Sequence, residues 1–105
     1  MTVQRGEVWF AAVPEGGDRP VLVLTRDPVV DRIDRVVVAA LTRTQRGVVS
    51  ELALTVRDDD VASDCVVSFD NLHTLPRAAF RRRLTKLSPP RMARACRVLR
   101  AAIAC

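Results

Sequence analysis

Two runs of consecutive apolar residues, many of them β-branched, constrain the fold of this chain more than any other feature. The runs lie at residues 19–27 and 35–43, and each is typical of a central strand with both faces covered. The connection between them, residues 28–34, is predicted to be polar at its tip. Further strands are predicted at 5–13, 50–56, 65–75 and 81–88. Short turns separate these segments, one of them predicted at 57–60. The pattern therefore predicts a small barrel-like sheet, with the arginine-rich last strand at its edge.

The C-terminal segment predicts one amphipathic helix on this sheet. Ser88 is a suitable N-cap, and prolines at 89 and 90 fall in the first turn, where a missing amide costs nothing. The predicted apolar stripe consists of Met92, Cys96, Leu99 and Ile103. Arginines at 94, 97 and 100 lie on the opposite side.

Length and composition favour one globular domain over residues 1–105. No apolar run approaches the roughly 18 residues of a membrane span, and the N-terminus lacks the pattern of a signal peptide. We therefore expect a cytoplasmic protein. The three cysteines, at 65, 96 and 105, show no paired spacing. They fit reduced thiols better than a disulfide framework or a zinc site.

Charge is distributed unevenly along the chain. Residues 1–60 hold eight Arg and ten Asp or Glu, a balance of −2, whereas residues 61–105 hold eight Arg, one Lys and two Asp, a balance of +7. A basic second half suggests a polyanionic partner. The preference for Arg over Lys also fits a GC-rich genome, in which Arg codons are favoured for residues on solvated faces. Charge alone therefore does not establish a nucleic-acid partner.

The residue types present limit the chemistry. No cluster of metal-ligand residues and no phosphate-binding glycine loop occurs in the sequence. Arginine, threonine and aspartate remain. They suit RNA cleavage, because RNA carries its own nucleophile, the 2′-OH beside the scissile phosphate. A cation to stabilise the phosphorane and groups that move protons are then sufficient. If the protein is a nuclease, we expect it to act on RNA and to need no cofactor.

Three residues at predicted strand ends are candidates for this chemistry. Arg19 starts the second strand, Thr42 ends the third, and Asp70 follows an apolar segment. A guanidinium suits a phosphate. Each residue also has a purely structural interpretation: a snorkelling arginine, an ordinary β-forming threonine, and a turn at Asp70-Asn71.

Four sequence blocks in this order resemble the MazF/PemK family of toxin endoribonucleases. The blocks are R-G-E-V-W (5–9), R-P-V-L-V-L (19–24), V-V-V-A-A-L-T (36–42) and V-V-S-F-D-N (66–71). The resemblance continues through R-x-L-T-K-L and the closing helix, and so covers essentially the whole chain.

The resemblance implies an SH3-like barrel with added helices, a homodimer, and metal-independent cleavage of single-stranded RNA to a 2′,3′-cyclic phosphate and a 5′-hydroxyl. It also implies a cognate antitoxin whose acidic, disordered segment occupies the RNA groove. The substrate is then an mRNA, rRNA or tRNA. Sequence recognition is expected in loops 14–18, 43–50 and 57–64.

The family's catalytic Arg and Thr fall on Arg19 and Thr42. The PemK branch places an Arg and an Asp two residues apart on the later strand, and here these positions are Ser68 and Asp70. Arg19 must then carry the cationic role. We expect Arg19 to stabilise charge and donate a proton toward the leaving 5′-oxygen, Thr42 to bind a phosphate oxygen, and Asp70 either to orient Arg19 or to accept the 2′-OH proton.

Further candidate RNA-binding residues are Gly17, Arg43, Arg46, Asn71 and His73. The basic residues also fit surface charges, and His73 a solvated or hydrogen-bonded strand histidine. One alternative remains open, because the same barrel resembles that of CcdB-type toxins, which bind DNA gyrase and cleave nothing. An inactive family member that only sequesters an antitoxin is a further alternative.

Overall fold

The computed structural model describes residues 2–27 and 32–105. Its elements are β1 (Glu7–Val13), β2 (Gly17–Val23), β3 (Arg35–Thr42), β4 (Glu51–Leu54), α1 (Val56–Asp59), β5 (Cys65–Pro76), a 3-10 turn (Arg77–Ala79), β6 (Phe80–Lys86) and α2 (Pro89–Ile103). Every predicted strand and the C-terminal helix are present, with shifted ends. The predicted polar tip at 28–31 lies outside the described residues. No helix in the described part of the chain is long and apolar enough to cross a membrane.

The six strands form one antiparallel half-barrel sheet in the order β4-β5-β3-β2-β1-β6. The two continuous apolar runs, β2 and β3, lie in the middle, and the arginine-rich β6 lies at an edge, as predicted. The mainly β fold with a C-terminal helix is therefore confirmed.

Apolar side chains fill both faces of the sheet. Because successive strand residues point to opposite faces, the continuous run of β2 supplies two cores. Leu22 packs in one cluster with Val8, and Val23 packs in the other with Trp9. Helix α2 covers the Leu22 cluster through Ala95, which is fully buried. Burial on both faces at residues 21–24 and 38–41 explains why these parts of the central strands show no alternation of apolar and polar residues.

Helix α2 begins as predicted, but its covered face differs from the predicted stripe. The Ser88 hydroxyl accepts a hydrogen bond from the Arg91 amide, so Ser88 is the N-cap. Ile103 is 50% exposed and was wrongly placed in the stripe. Ala95 is fully buried and Ala102 packs against the same cluster, so the covered face of the helix includes positions 95 and 102, which the predicted stripe left out.

The turn predicted at 57–60 is instead mostly helical, since residues 56–59 form α1. Thr55 caps this helix, and Asp60 ends it in the left-handed region with φ 54°. Asp59 is buried and binds Arg91 of α2, with Nε donating to Oδ1 at 2.8 Å and Nη2 donating to Oδ2 at 3.1 Å. This ion pair holds α1, and the loop that follows it, against α2.

The Arg-Gly-Glu-Val-Trp block at 5–9 has a structural explanation centred on the buried Glu7. Its Oε1 accepts hydrogen bonds from the Gln4 amide at 2.7 Å and the Trp9 indole at 3.0 Å. Its Oε2 lies 2.7 Å from Nε of Arg83. Gly6 has φ 87°, and a Cβ there would lie 3.1 Å from Cγ of Met92. This block therefore ties the start of β1 to β6 and to α2.

Candidate active site

The pairing of β2 with β3 brings Arg19 and Thr42 to the same end of the sheet. Val21 lies opposite Ala40 in this antiparallel pair. Continuing the register by two residues places position 19 opposite position 42. Two of the predicted site residues, 23 positions apart in the sequence, therefore meet where their strands end.

Pro20 accounts for how Arg19 is held. The Leu24 amide donates to the Val37 carbonyl at 2.9 Å, and alternation along β2 makes position 20 face β3 as well. Proline has no amide hydrogen to donate, so the ladder ends there. The Leu41 carbonyl instead accepts a hydrogen bond from Nη2 of Arg19 at 3.3 Å. The guanidinium is thus anchored through one nitrogen by the backbone of β3.

The Thr42 side chain is fixed by a bond within its own turn. Its Oγ1 accepts a hydrogen bond from the Thr44 amide at 3.2 Å. A hydroxyl has one hydrogen to donate in addition to its lone pairs. Thr42, which is half-buried, therefore retains a donor for a group entering beside it.

A cleft of about 660 Å³ opens beside these two side chains. Loop 60–63 and strands β1, β2, β3 and β6 form its walls. Its apolar lining includes Val8, Phe10, Pro20, Leu41, Val61 and Leu84. Its polar lining includes Arg19, Thr42, Arg43, Asp60, Ser63 and Thr85. An apolar wall next to two cations and two or more hydroxyls suits a ligand with both an anionic and a flat apolar part.

Cys65, at the start of β5, also lines the cleft, but as a neutral thiol. Burial, with smaller contributions from Asp59 and Asp64, raises the pKa of the Cys65 thiol above its ordinary value of 9.0, and Arg43 opposes this only in part. The thiolate is the nucleophilic form of cysteine. Cys65 is therefore a poor nucleophile near neutral pH, and the cleft's chemistry rests on its other polar groups.

Asp70, the third predicted catalytic residue, occupies a different position. It lies on β5 where the register with β3 shifts between Ala39 and Ala40, and its Oδ2 accepts a hydrogen bond from the Ser50 hydroxyl. Asp70 is exposed and is not among the residues that line the cleft in the described chain. The structure therefore brings together Arg19 and Thr42, without Asp70.

The predicted RNA-binding residues are also dispersed. Arg43 lines the cleft, whereas the Arg46 amide is bound to the Glu51 carboxylate at 3.0 Å. Gly17 begins β2 with φ 66°, a conformation that favours glycine. Asn71 lies beside Asp70 in the shifted part of β5.

His73 lies opposite Val38 in the β3–β5 register, on the face of the core that holds Val38. Its Nε2 is buried without a hydrogen-bond partner among the described residues. The same part of the chain holds no group of three or more His, Cys, Asp or Glu side chains placed to bind a metal ion.

Residues that sequence reasoning did not single out form much of the cleft. Phe10, Asp60, Leu84 and Thr85 are examples. Alternation along β1 places Phe10 and Val8 on the same side of the strand, and both residues line the cleft. The pattern could not show which elements would face it.

Comparison with known proteins identifies the chain's relatives. The family described as "PemK-like, MazF-like toxin of type II toxin-antitoxin system" matches residues 4–103. A protein named "Probable endoribonuclease MazF2", from Mycobacterium tuberculosis (strain CDC 1551 / Oshkosh), is 69% identical over 103 residues, which are 98% of this chain and 100% of that protein.

Solved structures share the fold. A mycobacterial endoribonuclease in complex with its cognate antitoxin superposes with a TM-score of 0.88 at 23% identity, covering 98% of this chain and 96% of that one. Mycobacterium tuberculosis toxin MazF-mt6 gives a TM-score of 0.84 at 28% identity, covering 93% and 96%. The half-barrel with its C-terminal helix is therefore the fold of MazF toxins.

Proposed function

The chain belongs to the PemK-like, MazF-like toxin family of type II toxin–antitoxin systems, and from this membership we propose that it is an endoribonuclease that cleaves single-stranded RNA without a metal ion. The observation that carries the proposal is the cleft shared by Arg19 and Thr42. The 69% identical relative named as an endoribonuclease supports the same activity. The gyrase-binding alternative gains no support from these relatives.

The reaction uses the nucleophile that RNA supplies. The 2′-oxygen attacks the adjoining phosphorus, and the bond from phosphorus to the 5′-oxygen breaks. The products are a 2′,3′-cyclic phosphate and a 5′-hydroxyl. The 2′-OH loses a proton to water at the open mouth of the cleft, and the leaving 5′-oxygen gains one. The protein must therefore assist two proton transfers and stabilise the negative charge that develops on the phosphorane.

Arg19 supplies the positive charge that stabilises the phosphorane. One guanidinium nitrogen is held by the Leu41 carbonyl at 3.3 Å, which leaves the other N–H donors of the fork for phosphate oxygens. A guanidinium is a poor base, because it stays protonated at physiological pH. Arg19 therefore keeps its positive charge and stabilises the phosphorane. As the 5′-oxygen leaves it becomes an alkoxide, a stronger base than a neutral guanidine, so Arg19 donates a proton to it and regains one from water.

Thr42 helps to position the scissile phosphate. Its hydroxyl is oriented by the Thr44 amide at 3.2 Å and donates its hydrogen to a non-bridging phosphate oxygen. A scissile phosphate held from both strand ends has its 2′-oxygen and 5′-oxygen fixed on opposite sides, which the in-line displacement requires. Asp70 lies outside the cleft and Ser50 binds its carboxylate. Of its two predicted roles, only the orientation of Arg19, through the electrostatic field, therefore remains in the proposal.

The basic and loop residues predicted from the sequence are proposed to bind the rest of the RNA. Arg43 lines the cleft beside Thr42 and is the best placed to bind a neighbouring phosphate. Gly17, Arg46, Asn71 and His73 are more peripheral and belong to the same proposal.

We assign the remaining biology as follows. Residues 1–105 act as a single toxin domain in the cytoplasm, restrained by a cognate antitoxin with an acidic, disordered segment. A homodimer is supported by partly exposed apolar side chains on one face of the β3–β5 pair, Val37 at 38% and Leu72 at 37% exposure. Sedimentation at several protein concentrations tests this assembly.

The test of the activity is cleavage of a mixed RNA by purified protein in excess EDTA. The parent protein should produce fragments with 2′,3′-cyclic phosphate and 5′-hydroxyl ends. Arg19→Ala should lower kcat about 10²- to 10³-fold, the usual loss of one preorganised donor to developing charge. Thr42→Val, which keeps the side-chain shape and removes the donor, should lower kcat by a smaller factor.

Three outcomes contradict the proposal. Intact RNA with the parent protein excludes the nuclease, and growth arrest with stalled DNA replication would then favour gyrase binding. Cleavage that stops in EDTA excludes the metal-free route. Unchanged activity in Arg19→Ala leaves the nuclease and excludes the assigned residue.

A further inference from the structure

The three consecutive arginines of β6 make three different contacts. Nη1 of Arg81 donates to the Ala78 carbonyl at 3.1 Å, and Nε of Arg83 lies 2.7 Å from the Glu7 carboxylate. Arg82 instead lies over the ring of Phe10, with its Cζ 5.6 Å from the ring centroid. The run is therefore not a uniform basic surface, and Arg82 alone of the three is stacked on an aromatic ring.

Phe10 lines the cleft that holds Arg19, and Arg82, which is not itself a lining residue, lies over the Phe10 ring. Phe10 is directly opposite Arg82 in the β1–β6 register and lines the cleft together with Leu84 and Pro20. Aromatic rings and guanidinium planes are the surfaces on which proteins stack RNA bases. The Phe10 ring, with the Arg82 guanidinium over it, is such a surface. It lies in the same cleft as Arg19, whose guanidinium suits a phosphate.

A phosphate bound by Arg19 and Thr42 brings a base to this surface. Each base is joined to its phosphate through one ribose, so a phosphate at the rim leaves the adjoining base within the same cleft of about 660 Å³. The apolar side chains of the cleft contact the faces of the base, and the polar side chains that line the cleft are available to bind its hydrogen-bonding edge.

Asp60 is the carboxylate at this edge. It lines the cleft and ends α1 in the left-handed conformation, and the Asp59–Arg91 pair fixes the residue before it. An ionised carboxylate only accepts hydrogen bonds. Adenine, cytosine and guanine carry an exocyclic amino group that can donate to it. Uracil carries the acceptor O4 where cytosine carries its amino group, so a carboxylate that faces this position is repelled by uracil, whose one ring donor, N3–H, lies at a different position.

We propose that Phe10, held by Arg82, and Asp60 line a nucleobase pocket for one nucleotide adjoining the scissile phosphate, and that this pocket selects a base with an amino group over uracil. The inference rests on the proposed nuclease function and adds a specificity determinant to it. Phe10 supplies the stacking surface, Arg82 holds the Phe10 ring in place, and Asp60 supplies selection.

The experiment cleaves an RNA with a randomised central segment and sequences the ends. The parent protein should show one position beside the cut from which uracil is excluded. Phe10→Leu and Arg82→Gln should lower kcat/KM about five-fold or more, the usual effect of losing one stacking surface. Asp60→Asn, an isosteric change that tolerates the left-handed backbone, should raise the use of uracil at that position alone. Arg81→Gln is the matched control, because it removes the same charge from the neighbouring residue and should change neither value.

A second measurement separates a lost pocket from a damaged fold. RNA with an abasic nucleotide at the selected position should be a worse substrate for the parent protein by about the same factor as Phe10→Leu, and Phe10→Leu should lose little more on it. Equal losses from the abasic change in parent and variant would overturn the pocket, as would an unchanged exclusion of uracil in Asp60→Asn. A parent protein that cleaves no RNA would overturn the nuclease itself, and so is distinguishable from both.

Discussion

Replacing Arg91 by methionine is expected to destabilise the fold by about 3–4 kcal/mol, because it leaves a buried carboxylate without its cation. The Asp59 side chain is 1% exposed and that of Arg91 is 25% exposed. Two guanidinium nitrogens bind the two carboxylate oxygens at 2.8 and 3.1 Å. Removing one partner of a buried pair costs about 3–5 kcal/mol. The lower part of that range applies here, since the Thr55 amide still donates to Asp59 at 2.9 Å.

The assay is urea unfolding followed by the fluorescence of Trp9, the single tryptophan of the chain, which is 5% exposed in the core. All variants are compared at one protein concentration, because association changes the apparent stability. A loss of stability lowers the midpoint, and an unchanged slope shows that the unfolded state is the same. Arg97→Met, on the exposed side of α2, should stay within about 0.5 kcal/mol of the parent protein.

The double variant Asp59→Asn, Arg91→Met tests the cause. With both charges removed, no unpaired ion remains, so most of the loss should be recovered, with a coupling energy of at least about 2 kcal/mol. A loss below about 1 kcal/mol in Arg91→Met, or strictly additive effects in the double variant, would refute the argument that burial of the carboxylate sets the cost.

Three further changes test the site. Asp70→Asn should lower kcat less than ten-fold, equivalent to about 1.4 kcal/mol, because Asp70 lies outside the cleft; a loss matching that of Arg19→Ala would show that it acts directly. Alkylation by iodoacetamide, mapped by mass spectrometry, should modify the exposed Cys105 before Cys65 at pH 8, because burial raises the pKa of Cys65 above 9.0, and Cys65 should become reactive only as the pH rises beyond that value. Pro20→Ala should lower kcat a few-fold with little change in KM, because the restored amide competes with Arg19 for its anchoring carbonyl; unchanged kcat would contradict that role.

The strands and the C-terminal helix could be predicted because their signals are local. Residues 19–27 and 35–43 are continuous apolar runs, and such runs arise where both faces of a strand are covered. The Ser-Pro-Pro start of α2 is likewise a property of three neighbouring residues. The side of that helix that packs on the sheet was predicted less well, because the burial of Ala95 depends on the residues of the sheet beneath it.

Contacts between distant segments could not be predicted in this way. Arg91 binds Asp59 across 32 residues, and Phe10 lies under Arg82 across 72 residues. Each side chain looked like an ordinary strand or surface residue in its own segment. Arg19 and Thr42 were recognisable because each is a polar residue next to a continuous apolar run, and the structure places both at the end of the β2–β3 pairing.

The end of the β2–β3 ladder shows why strand ends are suited to this chemistry. Within a sheet, each carbonyl is occupied by an amide, so no backbone group is free to hold a side chain. Pro20 removes one amide, and the Leu41 carbonyl must find another donor. It accepts a hydrogen bond from Nη2 of Arg19, the residue before Pro20. The interruption that stops pairing therefore also orients the guanidinium, at the point where the sheet opens into the cleft and a phosphate can reach it.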